Sequence, residues 1–198
     1  MIIDDIKFYM IQMSDNPISQ HYKNLVLPSW KDYNIHMFEA VTPKTLNKYN
    51  LKFNQKFSHG GYGVDFTPTE KAIWCSHYAL WKNCITLNKK LIVIEHDMKL
   101  DTKQGLVTKS FSEHNGVGLG RTYSDRYKRN INLPCGCYYI TPTIAKHLTK
   151  FIDKDPAGIR INPDGHIKKF LDTDKSNWCV DHIIDKKIGT TIEHNKTS

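Results

Sequence analysis

Glu95 and Asp97 stand two residues apart directly after Leu91-Ile92-Val93-Ile94, the most aliphatic stretch of the chain. Residues i and i+2 of an extended backbone point the same way, so this spacing predicts two carboxylates converging at a strand end. Such a pair is half a site for Mg²⁺ or Mn²⁺, with nucleotide phosphates completing the shell. Solvated acids at a strand terminus would have the same spacing. Arg121 to Arg129 (RTYSDRYKR) interleaves four basic side chains with two tyrosines. That mixture suits a nucleic-acid backbone with stacked bases, a loop closing over a diphosphate, or a solvated basic surface. Cys135-x-Cys137 with Cys179-x-x-His182 can be written as a Zn²⁺ site, but its spacing is not one of the strong zinc patterns. Asn195-Lys196-Thr197 matches a glycosylation sequon and is read as a chance match.

The elements that must position these residues follow from pattern. Lys7 to Met13 (KFYMIQM) reads as a buried first strand, broken by Ser14-Asp15-Asn16-Pro17, with a helical stretch through Trp30. Ile35 to Val41 reads as a second strand, and Lys44 to Phe66 as a long polar surface loop carrying Gly60, Gly61 and Gly63. Thr67-Pro68-Thr69-Glu70 has the form of a helix start with a capping box. Ile73, His77, Leu80, Trp81 and Cys84 then recur at helical spacing as one buried stripe. The aliphatic run 91–94 reads as a central strand buried on both faces. By strand alternation His96 points to the face opposite Glu95 and Asp97 and packs there.

Farther on, His114 to Arg129 reads as a mobile loop, Gly136 to Ile140 as a strand, and Thr141-Pro142 as the start of a helix through Ile144, Leu148 and Phe151. Asp153 to Asp174 is polar and irregular, and Trp178 to Ile184 is the last ordered segment. Strand and helix alternate, which predicts an α/β fold with a mostly parallel sheet. In such sheets the ligand crevice lies beyond the carboxyl ends of the strands, where Glu95 and Asp97 fall.

Composition narrows the function classes. The chain has 198 residues, of which 39% are hydrophobic and 11% aromatic, enough for a sizeable core and against disorder or fibrous repeats. The expected organisation is one domain over residues 1–190 and a frayed polar tail over 191–198. Lys and Arg outnumber Asp and Glu, giving a net charge of +8, which predicts attraction to phosphate in a nucleotide, a nucleic acid or an anionic membrane. No apolar run approaches the about 18 residues that span a bilayer. The MIIDDIKF start lacks signal-peptide character, and five sparse cysteines do not form a disulfide framework. The expectation is a cytoplasmic protein of a reducing compartment.

The segment TEKAIWCSHYALW (69–81) followed by LIVIEHD (91–97) resembles glycosyltransferase family 25, which includes lipooligosaccharide and collagen galactosyltransferases. Glu70, Ser76, His77, Trp81, Glu95 and Asp97 stand at matching positions. Weaker similarity covers the first strand through Ala40-Val41, GCYYITPTIAKHL and the Val180-Asp181 pair, so the resemblance spans most of residues 7–184. His96 stands where the family has a middle acid, and Ser14 to Gln20 lacks the family's usual arginine; Arg121, Arg126 or Arg129 are the alternative phosphate contacts.

The resemblance implies a GT-A-like Rossmann domain, a UDP-sugar donor, Mn²⁺ or Mg²⁺, and inverting transfer to an acceptor hydroxyl. It implies Asp97 as first metal ligand, with Glu95 on metal or ribose; His182 could join the shell, since imidazole is common in mixed sites. Asp181 is then the candidate base, although a helix cap would explain it equally. Ser76 and His77 lie near the donor sugar or in the crevice wall, with His77 equally readable as a core histidine. Trp81 is core, Glu70 a cap. Ile11 and Ser14 at the first strand end, and Ala40 and Thr42 at the second, would line the nucleotide pocket. A saccharide such as lipopolysaccharide is the implied acceptor. The alternatives are a hydroxylated base in DNA, in a phage-type modification enzyme, and a non-catalytic nucleotide-sugar or nucleic-acid binding module.

Overall fold

A computed structural model describes residues 5–53, 57, 65–101, 111, 115–119, 122–124, 130–132, 136–153, 159–160, 162–163, 165–167, 178–180 and 184–187. Its strands are β1 (Ile6–Gln12), β2 (Ile35–Glu39), β3 (Lys90–Glu95), β4 (Met98–Leu100), β5 (Gly116–Gly118), β6 (Thr122–Ser124), β7 (Asn130–Asn132), β8 (Cys137–Ile140), β9 (Trp178–Val180) and β10 (Ile184–Lys187). The helices are α1 (Pro17–Val26), running on into a 3-10 turn at Leu27–Trp30, α2 (Leu46–Phe53), α3 (Pro68–Leu87) and α4 (Pro142–Asp153).

Six strands form the central sheet in the order β2-β1-β3-β8-β5-β9. β1 runs parallel to β2 and β3, β9 runs parallel to β5, and β8 is antiparallel to both its neighbours. The sheet is therefore mostly parallel, as the alternating pattern predicts. The chain passes from β1 to β2 on one side and to β3 on the other, so β1 is the switch point at which such sheets open a crevice.

The period of two along the inner strands explains why helices cover both faces. Leu91 and Val93 of β3, with Tyr138 and Ile140 of β8, face Trp81 of α3 and Leu148 of α4. Ile92 and Ile94, with Cys137 and Tyr139, face Val26 and Trp30 on the other side. Strands buried on both faces must be apolar throughout, hence the unbroken run 91–94.

α3 begins as its sequence predicts. The Thr67 N–H donates to Glu70 Oε2 at 2.8 Å and the Glu70 N–H to Thr67 Oγ1 at 3.2 Å. It ends at Asn88, which adopts a left-handed φ of 49° and donates its N–H to the Cys84 and Ile85 carbonyls. The helix departs from the single-stripe expectation. Ala72, Trp74, Cys75, Ser76, His77, Tyr78, Ala79, Leu80 and Trp81 are all buried. The sheet, α4 and the segment after β2 enclose it on several sides, and such a helix needs no polar face.

Three stretches read as loops contain regular structure. α2 lies within 44–66, where Leu46 and Tyr49 pack on Val41, Ala72 and Cys75. Its helicity rests on that tertiary contact rather than on its own weak pattern. Within 114–129, β5 inserts buried Gly116 and Gly118 between β8 and β9, and β6 follows it. Within 153–174, Ile159 bridges to Phe57, and His166 stacks on Trp81 with ring centroids 5.9 Å apart. Gly60, Gly61, Gly63, Arg121, Arg126, Arg129, Cys135 and the tail 191–198 lie outside the described residues.

No helix among the described residues is long and apolar enough to cross a membrane. Cys75, Cys84 and Cys137 are buried thiols. Burial pushes the Cys75 thiol up to about 11, the Cys84 thiol to about 12, and that of Cys137 well above its ordinary value. The thiolate is the reactive form. Alkylation at pH 8 followed by mass spectrometry should leave all three unmodified in the native protein and modify them in guanidinium.

Candidate functional site

β1, β2 and β3 end side by side, with Gln12 opposite Glu39 and Ile11 opposite Glu95. Beyond these carboxyl ends opens a cleft of about 280 Å³. Its floor comes from Ile11, Gln12 and Met13 at the end of β1 and from Ala40, Val41 and Pro43 after β2; one wall is the first half of α3, and its rim is Glu95-His96-Asp97. The size is near the lower end of small-molecule sites.

Local hydrogen bonds fix the floor. The Ala40 N–H donates to the Gln12 carbonyl at 2.7 Å, extending the β1–β2 ladder past the strand end. Asn16 caps α1, its Oδ1 accepting from the Ile18 and Ser19 N–H groups, and also lines the cleft. Ser76 Oγ accepts the Val41 N–H at 2.9 Å and donates to the Ala72 carbonyl at 3.0 Å, tying α3 to the segment after β2. Ser76→Ala would leave that buried amide without its acceptor. It should lower stability by about 1–3 kcal/mol in urea unfolding; an unchanged midpoint would show that the tie is dispensable.

The rim is built differently from the sequence expectation. Glu95 continues the Leu91, Val93 series and so faces α3. β3 ends there, and His96 and Asp97 form a two-residue turn into β4, which belongs to another small sheet with β10. Strand alternation therefore does not govern His96, which lines the same cleft as its neighbours. Asp97 is only 2% exposed. The turn is anchored from the far face: Trp30 Nε1 donates to the Met98 carbonyl at 2.9 Å, and the Leu100 N–H donates to Ser29 Oγ at 3.1 Å.

His77 is fully buried, with Nδ1 3.0 Å from the Tyr138 hydroxyl and Nε2 3.7 Å from Glu95 Oε1. The second distance is too long for a hydrogen bond and leaves a through-space interaction. Glu95 is the more open partner, its side chain 24% exposed. His77 thus combines both sequence readings, packed in the core and edging the cleft.

Ile11, Ala40, Ser76, His77, Glu95 and Asp97 are brought together on the cleft. Ser14 and Thr42 flank it without lining it. The Ser14 N–H donates to Glu39 Oε1, and the Thr42 N–H to Thr45 Oγ1 in the turn before α2. Asp181 and His182 lie outside the described residues. Gln12, Asn16 and Thr69 also line the cleft and were not singled out from the sequence. For Asn16 a signal existed: Asn followed by Pro, just after a strand, marks a helix N-terminus at the strand's carboxyl end.

Among the described residues, no group of three or more His, Cys, Asp and Glu side chains is placed to hold a metal ion. Glu95 and Asp97, both carboxylate residues, line one cleft. Such hard oxygen donors suit Mg²⁺ or Mn²⁺ when phosphate oxygens and water supply the other positions.

The parallel sheet switching at β1, with a cleft past its carboxyl ends, is the architecture of GT-A-like glycosyltransferases. Mouse xyloside xylosyltransferase 1 in its apo form shares it at a TM-score of 0.52 and 11% identity, over 88% of this chain and 84% of that one. A glycosyltransferase involved in glycosylation of the major capsid of PBCV-1 matches at a TM-score of 0.47 and 13% identity, over 89% of this chain and 81% of that one. No curated protein sequence matches. The sequence profile of glycosyltransferase family 25 (LPS biosynthesis protein) matches residues 6–132. The chain belongs to that family and is a glycosyltransferase.

Proposed function

We propose that the enzyme transfers a hexose from a UDP-sugar to an acceptor hydroxyl, with inversion and with Mn²⁺ or Mg²⁺ at the rim of the cleft. The observation that carries this reading is the placement of Glu95 and Asp97 on one cleft beyond the ends of three parallel strands. Backbone around Ile11 and Ala40 would receive the nucleoside, with Ser14 and Thr42 beside it. Asp97 would hold the cation, Glu95 the cation or the ribose, and Ser76 and His77 the wall nearest the sugar. When bound, the cation offsets the charge that develops on the departing diphosphate. Asp181, from the family resemblance, is the proposed base for the acceptor hydroxyl, and His182 a further ligand, since imidazole is common in mixed metal sites.

A single domain over residues 1–190, acting in the cytoplasm, is the organisation we favour. The proposed acceptor is a saccharide of the lipopolysaccharide kind, in line with the family description. The net charge of +8 favours one rival, a hydroxylated base in DNA. A salt titration of duplex DNA binding separates them, because neutralising phosphates gives a steep log–log slope and a glycan enzyme gives little binding at physiological salt.

Calorimetry with UDP tests the donor site. Mn²⁺ should tighten UDP binding by about tenfold or more in the parent, equivalent to about 1.4 kcal/mol, and Asp97→Ala should abolish that gain. UDP binding indifferent to both Mn²⁺ and Asp97 overturns the proposal. Screening UDP-glucose, UDP-galactose and UDP-N-acetylhexosamines for metal-dependent turnover then identifies the sugar.

A further inference from the structure

Tyr138 lies in β8, one strand beyond β3, and meets the site through His77. Val93 and Tyr138 pair across the two strands and both face α3; Glu95 lies two residues farther along that face. The Tyr138 hydroxyl is fully buried and meets two nitrogens, Trp81 Nε1 at 2.9 Å and His77 Nδ1 at 3.0 Å.

The groups themselves fix the direction of the first of these hydrogen bonds and suggest that of the second. An indole nitrogen can only donate, so the Trp81 N–H donates to Tyr138 Oη. The phenol keeps its own hydrogen, and His77 Nδ1 lies within reach to accept it. An imidazole whose Nδ1 accepts carries its hydrogen on Nε2. Nε2 is the nitrogen 3.7 Å from Glu95 Oε1. In the other tautomer the ring would present a lone pair to the carboxylate, and the interaction would change from attraction to repulsion.

We infer that Tyr138 is a positioning residue: its hydroxyl fixes the His77 tautomer so that Nε2–H faces Glu95, and this holds the Glu95 carboxylate at the lip of the cleft. The part played by Glu95 rests on the proposed donor site; the hydrogen-bond order does not. Groups that orient a ligating or substrate-binding side chain typically govern affinity from outside the contact shell.

Nitrogen NMR of protein labelled in the histidine rings reads the tautomer directly. The parent should show His77 with Nε2 protonated and Nδ1 accepting, and Tyr138→Phe should raise the share of the other form, because only Glu95 is then left to favour Nε2–H. Trp81→Phe removes the other hydrogen bond at the same hydroxyl and disturbs the same core, yet should leave the tautomer as in the parent. That separates positioning from general destabilisation. Tyr138→Phe should also weaken UDP binding by about tenfold, and adding it to Glu95→Ala should cause no further loss. An unchanged His77 tautomer in Tyr138→Phe overturns the inference, as does a UDP effect that persists without Glu95. A parent that binds no UDP removes the donor-site proposal instead, and the tautomer comparison still decides the role of Tyr138.

Discussion

Asp97→Asn is expected to lower kcat/KM for sugar transfer by about a hundredfold or more, about 2.7 kcal/mol of transition-state stabilisation. The substitution keeps the side-chain shape and removes only the charge, so the loss reports on electrostatics rather than on packing. At 2% exposure the carboxylate is shielded from water, where a neutral amide is cheaper to bury. A fall in activity larger than any change in stability is the pattern expected when a charge is kept for function. Glu95 is more open, with its side chain 24% exposed, and Glu95→Gln should cost less, about tenfold. Steady-state kinetics with the identified UDP-sugar, paired with thermal melts, measures both. Parent-like turnover in Asp97→Asn would remove the rim carboxylates from the reaction.

The largest structural effect should come from Trp30→Ala. Trp30 is fully buried in the 3-10 turn after α1, packs edge-on against Tyr33 at 6.0 Å, and holds the Met98 carbonyl through its indole N–H. Deleting the ring removes core volume and leaves a cavity, costing about 3–5 kcal/mol. That is a large share of the about 5–15 kcal/mol that holds a typical domain together. The carbonyl lost belongs to the residue after Asp97, so the rim turn also loses an anchor. Urea unfolding should show the stability loss, and UDP calorimetry on the remaining folded protein should show weaker binding. A destabilisation below about 1 kcal/mol would mean that this side of the sheet packs loosely.

Residues 67–100 show which features could be read without coordinates. The capping box at Thr67-Pro68-Thr69-Glu70 and the run 91–94 are local signals, and both elements form where the pattern puts them. The rim was predicted to converge by strand alternation. Glu95 and Asp97 do share one cleft, but through a turn, because β3 ends two residues before Asp97 and β4 pairs elsewhere. His96 is buried, as expected, and also lines the cleft. α2 and β5 were missed because short elements with little pattern of their own depend on neighbours far away in the chain.

The sequence by itself determined the family, the strand–helix order and the acids at the end of the central strand, because capping, periodicity and aliphatic runs are written within a few neighbouring residues. Only the tertiary structure decided which side chains share the cleft. It brings Ile11, Ala40 and Glu95 together from three parallel strands, fastens Val41 to Ser76, and sets Tyr138 behind His77. Those partners lie 35 and 61 positions apart. Contacts at that distance depend on strand order and register, and no local spacing in the chain encodes them.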